Sequence, residues 1–401
     1  MSWSAPPPPP PTKLGVYRVL SSRAGAHVSP LCLGGMSIGD KWNAFMGSMD
    51  QEASFKLLDA YFDMGGNFID TASHYQDETS EQFIGEWAEK RGIRDQLFIA
   101  TKASCFFDIV VRVYLMSFVQ YTTSFKRADP KVVQRVNYVG NNMKNMHLSV
   151  NASLKKLRTD YIDLLYVHWW DYDTSIEEVM DGLHNLVAQG KVLYLGISDT
   201  PAWIVAQANQ YAKDHGKTPF SVYQGEWSIM QRSFERDIIP MARSFGMALA
   251  PWGVLAGGKL RSDAEEKRRL ESGEEGRKLR GPWERNPEQV AMSRALEKVA
   301  KEVGAKNNTS VAIAYVMQKT THVFPIIGGR KVEQLEQNLE ALDITLTPEQ
   351  IQFLEGQVPF DIGFPISFIG DGNQPSYLLN MGGHYQRIPY TRALGAPELP
   401  K

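Results

Sequence analysis

The chain is poor in cysteine. Only Cys32 and Cys105 occur among its 401 residues, too few for a disulfide framework, and a reducing, cytoplasmic setting is expected. It lacks a charge excess: 43 Lys and Arg against 45 Asp and Glu leave a formal charge of −2. Neither nucleic acid nor an anionic membrane is therefore expected as its main partner. The opening MSWSAPPPPPP has no basic and no apolar segment of a secretory leader. Residues 1–13 read instead as a disordered, proline-stiffened leader. No G-x-G-x-x-G follows any apolar run, which counts against an open dinucleotide-binding sheet. Long apolar runs are scarce as well. The exception, 103–119, is short for a bilayer and carries Asp108 and Arg112, which counts against a membrane span.

What the sequence does have is alternation. Hydrophobic residues make up 43% of it, and short apolar runs alternate with helical patterns. Runs at 28–36, 67–71, 97–101, 161–168, 192–198, 221–225, 247–252 and 323–329 read as strands. Helical patterns follow them, for example at 51–65, 80–92, 148–159 and 175–191, several closed by glycine. Continuous apolar strands suit a parallel sheet covered on both faces. Eight such units predict an α/β fold, a (β/α)8 TIM barrel, over residues 14–357. Two stretches break the rhythm. The charged, glycine-punctuated segment 260–289 reads as a long mobile connection. Residues 358–401 read as an extended C-terminal tail laid over the barrel.

Reactive residues of such barrels lie at the carboxyl ends of the strands. Those ends carry Asp70, Lys102 and His168, and Tyr75 follows Asp70 by one short loop in FIDTASHYQ. A free phenol titrates near ~10, too high for efficient proton transfer at neutral pH. A nearby ammonium favours the phenolate. Lys102 is placed to supply that charge, Asp70 to hold the lysine, and His168 to donate a hydrogen bond to a carbonyl oxygen. Each residue singly has an ordinary structural explanation; four at neighbouring strand ends point to proton delivery onto a carbonyl as a hydride arrives from a nicotinamide. At the last strand end, GGRK (328–331) offers Gly328 and Gly329 for close backbone approach and Arg330 and Lys331 for phosphate, at the start of a helix. The plain alternative for this pair is a solvated helix start.

The stretches GGNFIDTASHYQ, TDYIDLLYVHWWDYDTSIEEVMDGLHNLVAQGKVLYLGISDTPAW, TPFSVYQGEWS, FERDIIPMARSFGMALAPWGVLAGGKL and VFPIIGGRKVEQLEQNLEAL resemble the aldo-keto reductase superfamily. They are most similar to its fungal aryl-alcohol dehydrogenase and norsolorinic-acid reductase group. The resemblance implies catalytic roles for Asp70, Tyr75, Lys102 and His168, with Tyr75 as proton donor and NADPH as hydride source. It implies that Ser198, Asp199 and Gln224 surround the nicotinamide amide, that Trp252 lies against its ring, and that Arg330 and Lys331 hold the adenosine 2′-phosphate. Gln334 and Asn338 fall on the adenine side. Two positions depart from the wider pattern: Asp199 stands where asparagine is usual, and Gln334 where arginine is frequent, which leaves Arg330 more of the NADPH preference. The implied activity is reversible reduction of aromatic aldehydes or ketones, in fungal secondary metabolism.

Aromatic residues near the expected rim, Trp42, Trp169 and Trp170 among them, suit a flat apolar substrate, though each singly is also an ordinary packing residue. A small aromatic molecule is therefore the expected partner, and the chain is expected to be a monomer or a weak homo-oligomer. Residues 103–120 interrupt an otherwise continuous TK–YTTSFK junction. They read as an insertion after the third strand, either a retained intron or a translated cover over the site; if translated, they predict an inactive product as one alternative. A second alternative is an NADPH-binding redox sensor with little turnover. GMSIG (35–39) matches a hydrolase elbow without placed triad partners, and His168, Asp171 and Asp173 lie on one loop without convergent ligands, so neither a hydrolase nor a metal enzyme is expected.

Overall fold

Ten strands organise the described residues: β1 (Arg18–Ser21), β2 (Ala24–Val28), β3 (Cys32–Gly34), β4 (Phe68–Asp70), β5 (Phe98–Ala103), β6 (Ile162–Val167), β7 (Val192–Ser198), β8 (Val222–Glu226), β9 (Ala248–Trp252) and β10 (Ile326–Ile327). The computed structural model describes residues 7–47, 49–103, 125–126, 129–273, 276 and 282–399. Of the expected insertion, Ala103 ends β5 and the rest lies outside the described residues.

β3 to β10 form one eight-stranded parallel sheet in the order β10-β3-β4-β5-β6-β7-β8-β9. A bridge between Leu249 and Val323 joins its two edges, with Leu249 N–H donating to His322 O (2.8 Å) and Phe324 N–H to Leu249 O (2.8 Å). The sheet is therefore closed into the expected barrel, and no strand edge is left open along that seam. The last strand is only two residues long, shorter than the apolar run 323–329 suggested, and the bridge at Val323 lies outside it.

Helices cover the outside. Several starts are fixed by side-chain caps: Asp50 accepts from Ala53 N–H, Asn142 from Asn145 N–H, and Ser175 from Glu178 N–H. Each such cap contributes about 1 kcal/mol. Three features depart from the sequence expectation. The segment 260–289 contains a regular helix, Asp263–Ser272, capped by Ser262. The helix expected at 148–159 begins earlier, at Met143. The leader is anchored from Thr12, inside the expected disordered stretch, through Thr12 Oγ1 to Met64 O (2.6 Å) and Lys13 to Asp343 (2.8 Å).

β1 and β2 form an antiparallel hairpin that the sequence pattern did not disclose. Its Leu20, Ala24 and Val28 pack with Phe68, Phe98, Leu164, Val222 and Phe324 in one buried apolar cluster. The hairpin thus plugs the amino-terminal end of the barrel. The inward positions then change character along each strand: Phe68 to Asp70, Phe98 and Ala100 to Lys102, Leu164 and Tyr166 to His168, Val222 to Gln224. These are the layers of a barrel interior, two residues apart on each strand. Gly196 permits the middle layer, since a Cβ there would lie 2.5 Å from the Tyr166 ring. The tail runs along the outside. Arg236 donates to Asp361 O (3.0 and 2.6 Å), Arg243 covers Tyr390 (4.0 Å to the ring centre), and Arg18 reaches Gly395 O (3.2 Å).

Candidate active site

The charged layer sits at the floor of a cleft of about 450 Å³ at the carboxyl end of the strands, lined by Asp70, Tyr75, His168, Gln224 and Trp252 among others. Lys102 is 0% exposed. Its ammonium donates to Asp70 Oδ1 (2.5 Å) and Thr71 O (2.8 Å). Gln224 Nε2 donates to the second Asp70 oxygen (2.9 Å). A buried ion pair persists only when its remaining valences are satisfied, and here both carboxylate oxygens are. Strand pairing sets the arrangement: Asp70 lies opposite Ala100, and Lys102 opposite Tyr166.

Tyr75 approaches from the turn after β4, its ring centre 5.1 Å from Lys102 Nζ. Burial lowers the Lys102 pKa, but the charges of Asp70 and Tyr75 overcome it and raise the value, so the lysine stays charged. His168 goes the other way. Burial, then the positive charges of Lys102 and His74, hold it well below the usual histidine value. It is neutral near pH 7 and has a ring N–H to donate. Its ring lies 6.1 Å from that of Tyr75 and stacks on Trp169 at 4.7 Å. Cys32 lies buried on β3, its thiol pushed well up by burial and by Asp70, which makes it a poor nucleophile.

Of the cofactor candidates, Asp199, Gln224, Trp252 and Gly328 line the same cleft. Ser198 Oγ donates to Asp199 Oδ2 (2.7 Å), and Trp252 Nε1 donates to the same carboxylate (3.1 Å). Burial raises the Asp199 pKa to about 6, against the lowering effect of those donors and with a further push from Glu226. At the end of β10, Gly328 lines the cleft, and Arg330 N–H donates to Gln334 Oε1 (2.9 Å). That bond ties Gln334 to the strand-helix junction. Asn338 is buried on the following helix, Val332–Leu339. Neither Arg330 nor Lys331 has an acidic partner among the described residues, in contrast to the buried lysine. Two cations without an acidic partner among the described residues, next in sequence to the cleft-lining Gly328 and to a helix start, suit a phosphate-bearing dinucleotide. Of the aromatic candidates, Trp42 and Trp169 line the cleft. Trp170 instead packs on the barrel's outer core. Asp171 is engaged by Asn141 N–H (2.5 Å) and Thr174 N–H (2.9 Å), which shapes its own loop.

Sequence reasoning missed the turn beyond Tyr75. Gln76, Asp77 and Glu78 are three consecutive non-glycine residues at positive φ (52°, 49° and 80°), a conformation that costs about 1–2 kcal/mol per residue. Ion pairs from Lys126 (2.8 Å) and Lys156 (3.1 Å) to Glu78 hold one end. Lys156 also donates to Ser73 O (2.7 Å) and meets Glu81 (2.8 Å). His74, which directly precedes Tyr75, was also passed over; its ring lies 5.4 Å from that of His168.

Residues 30–357 match the Aldo/keto reductase family model. The chain is 59% identical over 395 residues to the NADP(+) aryl-alcohol dehydrogenase of Phanerodontia chrysosporium, covering 97% of this chain and 98% of that one. It is 50% identical over 370 residues to the norsolorinic acid reductase of Aspergillus flavus, 92% and 88% of the two chains. It is also 48% identical over 365 residues to an aldo-keto reductase of Aspergillus calidoustus, 91% and 87% of the two chains.

Proposed function

The chain belongs to the aldo/keto reductase family, and on that premise we propose that its cleft reduces aromatic aldehydes and ketones, with Tyr75 as the proton donor. It is an NADP-dependent oxidoreductase, as the aryl-alcohol dehydrogenase relative is by name. NADPH, when bound, supplies the hydride to the carbonyl carbon. The chain's own residues handle the proton. Tyr75 gives its phenolic hydrogen to the carbonyl oxygen, which completes the alcohol; in the oxidising direction the phenolate takes it back.

The observation that carries this reading is the buried Lys102 ammonium, fixed by Asp70 at 2.5 Å and set 5.1 Å from the Tyr75 ring. A positive charge in a desolvated site stabilises the phenolate that proton donation leaves behind. Neutral His168 donates to the carbonyl oxygen and orients it towards Tyr75. Trp42 and Trp169 give the cleft flat apolar walls, suited to an aromatic ring beside the carbonyl. Arg330 and Lys331 take the 2′-phosphate that separates NADPH from NADH.

Tyr75→Phe removes the transferable hydrogen and leaves the ring. Turnover with an aromatic aldehyde is expected to fall about 10²–10⁴-fold, with NADPH binding, followed by fluorescence titration, unchanged. Wild-type turnover in that variant would overturn the assignment.

A further inference from the structure

The strained turn after Tyr75 is bonded to the cleft wall that faces it. Gln76 is fully buried, and both ends of its amide are used. Its Oε1 accepts from Trp42 N–H (2.9 Å), and its Nε2 donates to Met36 O (2.9 Å). Met36 and Trp42 both line the cleft. Asp77 Oδ1 accepts from the indole of the same tryptophan, Trp42 Nε1, at 3.1 Å. Gly39, between the two anchored residues, sits against Gln76 so closely that a Cβ there would lie 2.5 Å from the glutamine side chain. The Trp42 ring in turn lies 6.2 Å from Tyr75 and 5.9 Å from His74.

We propose that Gln76 and Asp77 are positioning residues that lock the Trp42 wall in register with Tyr75, and so set the preference for flat aromatic substrates. Three hydrogen bonds, two to the main chain and one to the indole, fix this wall against the turn. Apolar contact alone is non-directional and would let the indole slide. The directional bonds define where a planar ring rests relative to the proton donor. The left-handed backbone at 76–78 belongs to the same device: it turns the Gln76 and Asp77 side chains back towards residues 36–42 when a relaxed turn would release them. Neither residue touches the reacting atoms in this account.

The proposal rests on Tyr75 being the proton donor, and its test separates the two claims. The probes are 2-naphthaldehyde, which needs the Trp42 wall, and propanal, which does not. Gln76→Met keeps the length and loses both amide hydrogen bonds. Asp77→Gly accepts the left-handed backbone and loses the indole bond. Asp77→Asn keeps an acceptor for the indole and also tolerates that backbone. We expect Gln76→Met to lower kcat/KM for 2-naphthaldehyde at least 10-fold and for propanal less than 3-fold, with NADPH affinity unchanged. Asp77→Gly is expected to lower the aromatic value about 5-fold, and Asp77→Asn to restore it. Equal losses on both aldehydes, or no loss in Asp77→Gly, would overturn the proposal. Should Gln76→Met fail to fold, the Asp77 pair decides alone. Tyr75→Phe abolishes reduction of both aldehydes if the underlying reading holds; its survival would instead bring down that reading.

Discussion

The two ends of the barrel are built from the same strands and hold opposite chemistry. At the amino-terminal end Leu20, Val28, Phe68, Phe98 and Phe324 exclude water with hydrocarbon alone. Two to four strand positions further on, Asp70, Lys102, Gln224 and His168 are as thoroughly buried, and they are polar. Burial by itself therefore says little about role. The apolar end gains stability roughly in proportion to the area removed from water. The polar end contributes little net stability, because desolvation offsets the attraction of the ion pair. Stability and chemistry are divided between the ends, and substitutions at each should separate accordingly.

The largest effect is expected at the polar end. Lys102→Met leaves Asp70 buried and uncompensated. It should destabilise the fold by about 3–5 kcal/mol and remove turnover even in molecules that remain folded. Unfolding curves and the specific activity of the folded fraction check both parts; full activity in that fraction would erase the distinction between the ends. At the plugged end, Leu20→Ala should lower stability by about 2–5 kcal/mol through the cavity it opens, while KM and kcat below the transition stay at wild-type values. A change in KM would show that the plug communicates with the cleft. Beside the cleft, Arg330→Ala removes the proposed charge-assisted phosphate contact, about 1.5–3 kcal/mol. NADPH should bind about 10–100-fold more weakly and NADH nearly as before, by titration of each.

Asp199 gives the smallest effect and the one of opposite sign. Its pKa is raised to about 6 by burial, above the ordinary carboxylate value of about 3.9. Between those values the folded state holds a proton that the unfolded chain has released, so stability falls as pH rises through that window. Above pH 6 the ionised carboxylate is a standing destabilisation. Asp199→Asn should therefore raise stability at pH 8 by about 1–3 kcal/mol and leave it unchanged near pH 3.5. An equal gain at both pH values would refute the titration account.

How much of this could be read without coordinates follows from the same contrast. The barrel strands announce themselves because both faces are buried, which makes runs such as YIDLLYVH continuous. The hairpin did not, because RVLS and AGAHV are only partly buried and mix serine, arginine and histidine into short strands. The helix Asp263–Ser272 left a trace, the Ser262–Glu265 start signal, but the charge run around it drew the reading towards a loop. At the site, the strand-end rule located Asp70, Lys102 and His168. It could not locate Gln76, whose role exists only where residues 36–42 and 75–78 come together. Nor could it tell Trp169, which lines the cleft, from its neighbour Trp170, which packs on the core.

The hairpin stopper has a kinetic corollary. With the far end of the barrel corked by Leu20 and Val28, reactant traffic to the Tyr75 floor shares, among the described residues, the cleft at the carboxyl end of the strands. Whichever guest sits deeper must arrive first and depart last, so steady-state rates should follow a compulsory sequence, with the later-leaving product competing against its own counterpart for the empty enzyme.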